Sequence, residues 1–325
     1  MKLKNKINWG ILGTANIARK ALIPGIIGSE NSTLYAIAGR KKEKVEEFAK
    51  LFKPEKTYDS YDEILADDKI DALYIPLPNA LHKEWVIKAL NKKKNVLCEK
   101  PIGLNETEVT DMFEVAEKND VFLMEAFAYI HNPLIKRMKK IVDDGDLGAV
   151  KSMNSTFSFD LTKRPNDIRW SSNLGGGAMY DLGCYTLHLS RHIMDKTPDS
   201  VKACSSKTPN GVDESTTAIL NFSDKTFSQF HVSFIQAFSM VFEINGTRGK
   251  LRAPFTFNES GDLDYFLSEG GEWERYTVSS PDNYMLEATH FSDVVLGNEK
   301  PVISKEDSFD NARMIRLILE NSGVQ

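Results

Sequence analysis

The sequence predicts an α/β protein of two domains, the first with a parallel sheet and the second with a largely antiparallel open sheet. Short apolar runs alternate with helical stretches over the first third of the chain, and the first run ends in the turn Gly10-Ile11-Leu12-Gly13. Beyond about residue 127 the pattern changes to a period of two. The length of 325 residues is typical of about two domains.

The first domain, residues 1–127, is predicted to contain five strands: Ile7 to Leu12, Leu34 to Ala38, Ala72 to Leu77, Asn95 to Cys98 and Phe122 to Ala126. Predicted helices lie between these runs: Ala15 to Ile27, Lys41 to Phe52, Leu81 to Leu90 and Glu106 to Lys118. Parallel strands need crossover connections, which are usually helical and right-handed. The alternation therefore indicates a parallel sheet covered by helices.

The second domain, residues 128–325, is predicted from segments rich in Thr, Ser, Phe and Val that alternate with period two: Lys151 to Phe159, Ser215 to Phe222, Thr226 to Ile235 and Met240 to Asn245. Such alternation is typical of antiparallel strands with one covered face. The Asn-Gly pairs at 210–211 and 245–246 are turn signals. We expect the last amphipathic helix, Glu306 to Glu320, to pack back on the first domain.

The composition argues against several classes of protein. The net charge is −5, whereas nucleic-acid or acidic-membrane partners favour a basic face. No run of about 18 apolar residues is present to span a membrane. Cys98, Cys184 and Cys204 are widely spaced, which favours free thiols in a reducing compartment. The six histidines lack clustered spacing, so no metal site is predicted. We expect a cytoplasmic protein.

The turn after the first apolar run has the residue types of a dinucleotide-binding loop. Gly13, Ala15 and Ala18 fit the spacing G-x-A-x-x-A where a strand gives way to a helix. Gly13 permits the tight turn, Ala15 lets a pyrophosphate approach the backbone, and Ala18 lets the helix pack closely on the sheet. The helix N-terminus offers free N–H groups to the anion. These features predict a Rossmann domain, although an ordinary strand-to-helix turn is the alternative.

The end of the second strand indicates which dinucleotide binds. NAD enzymes usually carry Asp or Glu there to bind the ribose 2′-hydroxyl. Here the strand ends Ala38-Gly39-Arg40-Lys41-Lys42, without a carboxylate. Gly39 leaves space, and Arg40 can contact a 2′-phosphate through two hydrogen bonds. NADP is therefore the predicted cofactor, with NAD possible; the alternative for these cations is a solvated helix start, where they are unfavourable.

A later strand ends in Glu99-Lys100-Pro101. Ligands of open parallel sheets bind at the carboxyl ends of the strands, so Lys100 is placed where a nicotinamide would lie. Pro101 ends the strand. A lysine at this position can polarise or protonate a hydroxyl or carbonyl oxygen. Taken alone, Lys100 would more often be an ordinary surface lysine.

Four motifs together resemble the Gfo/Idh/MocA oxidoreductases: Gly10 to Ala18, Pro78 to His82, Glu99 to Pro101, and Gly175 to Tyr185. The resemblance extends in order over essentially the whole chain. The Gly-Gly-Gly-x-x-x-Asp-x-Gly-x-Tyr pattern and Leu123 to Phe127 are most similar to the branch that contains glucose–fructose oxidoreductase, dimeric dihydrodiol dehydrogenase and NADP-dependent xylose dehydrogenase. One departure is Ala128 to Pro133, which lacks the arginine often found there and leaves the substrate open.

The resemblance implies hydride transfer between C4 of a nicotinamide and a carbon of a sugar or cyclic diol. It also implies that residues 128–325 bind substrate and pair the subunits into a homodimer or homotetramer. Carried over by position, Lys100 matches the catalytic lysine and Tyr185 the proposed acid/base. An ammonium near a phenol favours the phenolate, which makes this pairing reasonable. Asp181, four residues before Tyr185, either orients Lys100 or a substrate hydroxyl or belongs to a helix start.

The remaining site residues follow from the same motifs. The expected cofactor-binding residues are Gly10, Gly13, Thr14, Ala15, Asn16, Ile17, Arg40, Lys41, Pro78, Asn79, His82, Glu99 and Lys100. The expected substrate-binding residues are Tyr129, Asp160, Arg169, Trp170 and His188. His82 is expected to contact the nicotinamide or its ribose, with a structural role as the alternative, and His188 is the second candidate for the acid/base. A non-catalytic dinucleotide sensor on the same fold is the alternative function.

Overall fold

A parallel sheet forms the centre of the first of two units in the computed structural model, which describes residues 5–254, 257 and 259–324. Its strands are β1 (Ile7–Leu12), β2 (Ser32–Ala38), β3 (Lys56–Tyr58), β4 (Ala72–Ile75), β5 (Asn95–Glu99) and β6 (Leu123–Ala126). The strand order is β3-β2-β1-β4-β5-β6, and every neighbouring pair is parallel. This is the order of a doubly wound dinucleotide-binding fold, whose ligands bind at the carboxyl ends of the strands.

Helices connect these strands. They are a π-helical turn (Ala18–Leu22) that continues into α1 (Ile23–Gly28), then α2 (Lys42–Phe52), α3 (Tyr61–Leu65), α4 (His82–Asn91) and α5 (Glu106–Asn119). Side-chain caps define where two of them begin, because Ser60 accepts from Asp62 N and Asn105 accepts from Glu108 N. The short elements β3 and α3 were not predicted from the sequence.

A late segment returns to the first unit, which comprises the described residues up to Ala128 together with Asp282–Phe309. Helix α8 (Asn283–Val295) places the ring of Phe291 4.8 Å from Trp9 and 5.0 Å from Phe122. The indole of Trp9 donates to Ser292 Oγ at 3.2 Å. This differs from our division at residue 127, which assigned α8 to the second domain by its position in the chain. Burial of these aromatic rings explains the return.

The second unit comprises Tyr129–Pro281 and the described residues from Asp310 onward. Its strands are β7 (Val150–Asp160), β8 (Ser200–Lys207), β9 (Asp213–Asn221), β10 (Phe227–Ser233), β11 (Ile235–Gly246), β12 (Gly249–Ala253), β13 (Gly261–Glu269), β14 (Glu272–Ser280) and β15 (Ser322–Val324). Within the described residues they form one open sheet in the order β14-β13-β12-β11-β7-β10-β9-β8-β15. Among these described strands only the β7–β10 and β8–β15 pairs are parallel, so the predicted fold class is confirmed.

Helices α6 (Pro133–Asp143) and α7 (Cys184–Met194) belong to the second unit, and a π-helical turn (Met179–Gly183) leads directly into α7. The last helix, α9 (Lys305–Asn321), is divided between the units at Phe309. In the first unit, Lys305 Nζ lies 2.8 Å from Glu117 Oε1. In the second unit, Asp310 binds Arg191 of α7 at 3.3 Å. Our expectation that the last helix packs on the first domain fits the part of α9 up to Phe309, whereas the part from Asp310 onward belongs to the second unit. Across the described ranges, no helix is long and apolar enough to cross a membrane.

Candidate active site

The turn after β1 has the geometry that a phosphate-binding loop requires. Gly13 has a φ of +130°, a conformation that L side chains rarely adopt, and its N–H donates to Ala38 O at 2.9 Å. A Cβ at Gly13 would lie 3.2 Å from Leu77 Cδ2. The following helix begins at Asn16, which is exposed, while Thr14 and Ala15 are partly exposed. The first peptide N–H groups of this helix lack intrahelical acceptors, which suits an anion.

A cleft of about 500 Å³ lies at the carboxyl end of β2, lined by Thr14, Arg40, Lys41, Lys44 and Tyr61. The Arg40 guanidinium carbon lies 5.9 Å from the centre of the Tyr61 ring. The structure therefore brings the predicted Thr14, Arg40 and Lys41 together. Lys44 and Tyr61 were missed, although the position of Lys44 one helical turn after Lys41 was a usable signal.

The space beside this cleft depends on Gly39. A Cβ there would lie 2.8 Å from Val45 Cγ2 and 3.1 Å from Thr14 Cγ2. Three cations and an aromatic ring around an open space fit the ribose end of a dinucleotide with a 2′-phosphate, because guanidinium and ammonium groups bind phosphate through charge-assisted hydrogen bonds. The residues present therefore fit the cofactor that the fold implies.

Lys100 lies in a turn held by Glu99. The Lys100 N–H donates to Glu99 Oε2 at 3.2 Å, and the Tyr74 hydroxyl on β4 donates to Glu99 Oε1. Burial and the neighbouring Glu99 charge raise the pKa of Tyr74 well above its usual range, so the phenol remains a donor. Lys100 itself is partly exposed. The turn therefore presents Lys100 from a backbone that the Glu99 carboxylate fixes.

His82 connects two turns of the first unit. Its Nδ1 lies 2.8 Å from Pro101 O and its Nε2 lies 2.8 Å from Leu77 O. The ring is fully buried, and this burial lowers its pKa. A neutral imidazole has one N–H, so it donates to one of these carbonyls at a time. The expected contact between His82 and the nicotinamide or ribose is therefore not supported, and the structural alternative fits the geometry. Pro78 and Asn79, just upstream, are partly exposed.

Two buried carboxyl groups of the first unit were not singled out from the sequence. Ile102 N donates to Glu125 Oε1 at 3.0 Å, which ties the segment after Pro101 to β6. Glu287 on α8 is 1% exposed, and its Oε1 has no hydrogen-bond partner among the described residues. Burial, together with the charges of Glu99 and Asp282, raises the pKa of Glu287 well above its usual range. An uncharged carboxyl is therefore favoured at Glu287.

In the second unit, Asp181 is held by Arg169. Arg169 Nε lies 2.5 Å from Asp181 Oδ2, and Arg169 Nη1 lies 3.1 Å from Asp167 Oδ1. The Asp181 carboxylate, more than the other causes, raises the pKa of Arg169. The structure thus joins a predicted catalytic residue to a predicted substrate-binding residue.

Tyr185 lies among aromatic side chains of the second unit. Its ring stacks on Phe257 with a centroid distance of 4.6 Å, and Phe157 lies edge-on at 6.1 Å. Tyr185 and Asp181 are both partly exposed, whereas the residues between them are buried, so they share one face as expected. Phe257 was missed because nothing in the sequence near it indicates proximity to residue 185.

Tyr129 and His188 pair with each other. The Tyr129 hydroxyl lies 2.5 Å from His188 Nδ1, and both side chains are buried. Burial lowers the pKa of His188 well below its usual range, so the neutral ring accepts from the phenol. Our expectation that these two side chains contact substrate directly is not supported by this arrangement. They are instead buried next to Tyr185, whose ring centre is 5.8 Å from that of Tyr129.

Asp160 and Trp170 have different surroundings. Asp160 is exposed at the end of β7, where its carboxylate accepts from both N and Oγ1 of Thr162. Trp170 is partly exposed and packs at 5.5 Å on Phe234. Trp170 therefore belongs to an aromatic surface, whereas the carboxylate of Asp160 is engaged in a local turn. Over the described parts of the chain, no group of three or more His, Cys, Asp or Glu residues could hold a metal ion.

The features of each unit define a class of protein. Residues 7–127 match the oxidoreductase family with an NAD-binding Rossmann fold, and residues 135–252 match the GFO/IDH/MocA C-terminal domain. The chain belongs to the Gfo/Idh/MocA oxidoreductase family, which confirms the resemblance drawn from the sequence.

Similar proteins include several named enzymes. D-xylose 1-dehydrogenase (NADP(+)) 2 of Haloferax volcanii is 35% identical over 97% of each chain. A trans-1,2-dihydrobenzene-1,2-diol dehydrogenase of Xenopus tropicalis is 31% identical over 97% of this chain and 98% of its own. Among solved structures, a 3-ketoreductase from Actinomadura kijaniata in complex with NADP and TDP-benzene has a TM-score of 0.94 at 26% identity, covering 98% of this chain and 99% of that one. None of these relatives supports the non-catalytic alternative.

Proposed function

We propose that this protein is an NADP-dependent dehydrogenase or reductase that acts on a CH–OH or carbonyl carbon of an uncharged sugar or cyclic diol. The observation that carries this proposal is Lys100, which stands at the carboxyl end of β5 in a turn held by Glu99 and His82. That strand lies in a sheet whose first strand ends in the phosphate-binding turn. The similarity to NADP-dependent xylose dehydrogenase and to dihydrodiol dehydrogenase supports the same substrate class.

NADP is proposed as the cofactor, with NAD as the weaker ligand. The cations Arg40, Lys41 and Lys44 line the cleft at the end of β2, where NAD enzymes usually place a carboxylate. Bound NADP supplies or accepts a hydride at C4 of its nicotinamide. The chain's own residues bind the phosphates. Gly13 permits the tight backbone turn, and the peptide N–H groups after it are available to the anion.

Lys100 and Tyr185 are proposed to handle the proton. Oxidation of a CH–OH group releases a hydride from carbon and a proton from oxygen, so the chain must accept that proton at the hydroxyl. In this proposal Tyr185 Oη accepts it as a phenolate, the form that the charge of an ammonium group favours. In reduction, Tyr185 returns the proton to the new alkoxide oxygen. The buried, neutral state of His188 favours Tyr185 over His188 in this role.

An uncharged ring is the substrate form that the second unit favours. Phe157, Phe159 and Trp170 are partly exposed aromatic residues of this unit, and sugar and diol rings present apolar C–H faces that pack on such surfaces. Arg169 is already paired with Asp167 and Asp181, so its charge is compensated by these carboxylates and does not favour a phosphorylated or acidic sugar.

We propose a homodimer or homotetramer that pairs through the open sheet, as the resemblance implies. Ile219, Phe227 and Trp273 are 41%, 48% and 40% exposed, and the strand register places them on one face of the sheet. Sedimentation of wild type and Phe227→Asp tests this pairing: the variant should sediment as a smaller species than the wild type.

A cytoplasmic location is also proposed, since a free and exposed Cys204 suits a reducing compartment.

The function is tested by adding NADP with a panel of aldoses, anhydrosugars and cyclic diols and following the absorbance of reduced cofactor. Turnover of at least one uncharged ring compound is expected. Lys100→Ala and Tyr185→Phe should each lower kcat by about 100-fold or more, whereas Tyr276→Phe, a change at an exposed position on β14, should not. Cofactor binding without turnover of any compound would favour the non-catalytic dinucleotide sensor. Unchanged turnover in Tyr185→Phe would reject Tyr185 as the group that accepts the proton.

A further inference from the structure

Asp213, at the start of β9, connects the open sheet to the segment that carries Asp181 and Tyr185. Its side chain is 3% exposed. Asp213 Oδ2 accepts from the Met179 N–H at 2.8 Å and from Thr216 Oγ1 at 2.9 Å. Thr216 Oγ1 lies in turn 2.8 Å from Ser205 Oγ on β8. A carboxylate anchored in the sheet therefore holds the first residue of the π-helical turn Met179–Gly183.

The glycine run before this turn is shaped around the same carboxylate. Gly177 has a φ of +131°, and a Cβ there would lie 2.1 Å from Asp213 Oδ1. A Cβ at Gly176 would lie 2.4 Å from Arg169 O, which accepts from the Gly177 N–H at 3.0 Å. A side chain at either position would collide with these oxygens, so the two glycines permit Asp213 and the Arg169 backbone to approach the turn.

These contacts bear on the proposed site because the π-helical turn contains Asp181 and continues into α7, which contains Tyr185. We propose that Asp213 is a positioning residue: its carboxylate, seated against Gly177 and bonded to Met179 N, fixes the amino end of the segment that presents Asp181 and Tyr185. This inference rests on the proposed function, because it assigns Asp213 a role through Tyr185. The hydrogen bond from a peptide N–H to a carboxylate is among the stronger kinds and defines a direction as well as a distance.

The ionisation of Asp213 gives this arrangement a pH dependence. Burial raises the pKa of Asp213 to about 6, against the opposing effect of the hydrogen bonds from Met179 and Thr216. The charged group that acts on it is Lys207, its register partner on β8. Above this pKa the carboxylate is charged and holds Met179 firmly. Below it the neutral acid is a weaker acceptor, so kcat should fall as pH drops through about 6.

The test compares wild type with Asp213→Ala and Asp213→Asn, each assayed as the full chain with NADP and a substrate found by the panel. Asp213→Ala should lower kcat by about 10- to 100-fold through misplacement of Tyr185, while the NADP dissociation constant is unchanged. Amide hydrogen exchange over residues 177–185 should be faster in this variant. Asp213→Asn retains an oxygen acceptor, so its kcat should recover to within several-fold of wild type and lose the acidic limb near pH 6.

Asp224→Ala is the matched control, because Asp224 is an exposed carboxylate of the same unit bound to Lys196. It should leave kcat and the amide exchange unchanged. Wild-type kcat in Asp213→Ala, or an acidic limb that persists in Asp213→Asn, would overturn the proposal. If wild type turns over no compound, the proposed function fails, and the exchange measurement alone then decides: faster exchange supports the anchoring by Asp213, and unchanged exchange rejects it.

Discussion

The guanidinium of Arg169 lies between two carboxylates, with Nε 2.5 Å from Asp181 Oδ2 and Nη1 3.1 Å from Asp167 Oδ1. The sequence analysis assigned Arg169 to substrate and Asp181 to catalysis as separate residues. Their pairing instead makes Arg169 the group that orients the Asp181 carboxylate. A guanidinium suits this task because its planar donors have fixed directions.

Arg169→Met should therefore lower kcat/KM by about 10- to 100-fold, since one charge-assisted hydrogen bond is worth about 1.5–3 kcal/mol. The methionine fills a similar volume but cannot orient Asp181. Because both residues act in one pair, the effects of Arg169→Met and Asp181→Asn should be less than additive in the double variant. Steady-state kinetics of the wild type, the two single variants and the double variant measures this coupling.

Arg164→Met is the control for that cycle, because Arg164 is an exposed partner of the same Asp167 at 3.6 Å. Exposed pairs contribute little, so this change should leave kcat/KM nearly unchanged. Equal effects of the two arginine substitutions, or fully additive effects in the double variant, would contradict the orienting role of Arg169.

Arg40→Ala should weaken NADP binding by about 10- to 100-fold, because it removes a charge-assisted phosphate contact. NAD binding should change little, since NAD lacks the 2′-phosphate. Fluorescence titration of both reduced cofactors measures the ratio of their dissociation constants. Arg275→Ala, a change at an exposed arginine of β14 bound to Asp264, is the control. If the ratio of the NADP and NAD dissociation constants in Arg40→Ala equals the wild-type ratio, the argument for NADP fails.

Glu287→Gln should change how stability depends on pH. Burial raises the pKa of the Glu287 carboxyl, so the folded protein holds this proton more tightly than the unfolded chain. As pH rises above the ordinary pKa of a glutamate, about 4.3, the wild type should lose stability relative to the variant by up to about 1.4 kcal/mol per pH unit. This loss continues until pH passes the raised pKa of the folded state.

Thermal unfolding midpoints between pH 5.5 and 8 measure this difference. The midpoint of Glu287→Gln should exceed that of wild type by a margin that widens with pH. Glu114→Gln, a change at an exposed position on α5, should follow the wild-type curve throughout. Parallel curves for wild type and Glu287→Gln would show that Glu287 is ionised in the folded protein.

Much of the fold could be predicted because its determinants are local. The parallel strands are continuous apolar runs, and the antiparallel strands alternate, so both periods are readable from the sequence. The packing of α8 on the first unit could not be predicted. Its packing depends on Trp9 and Phe122, which are far away in the chain. The period of an amphipathic segment indicates that one face is buried, but it does not say against which sheet.

The candidate site divides in the same way. Arg40 and Lys100 could be placed because the ends of parallel strands are known ligand positions. The burial of His82 and its two carbonyl partners could not, because residues 77 and 101 become neighbours only after β4 and β5 pair. The glycines before Met179 were recognised as a motif, but the carboxylate that occupies the space beside Gly177 comes from residue 213.

The return of Asp282–Phe309 to the first unit makes most of the second unit an insertion within the chain of the first. A fragment that stops at residue 127 would expose the indole of Trp9 and the ring of Phe122 to solvent and lose the Trp9–Ser292 hydrogen bond. The compact unit that contains the phosphate-binding turn is instead residues 5–128 together with 282–309. Protein engineers who exchange substrate specificity between relatives should accordingly exchange 129–281 together with the described residues from Asp310 onward, which belong to the same unit.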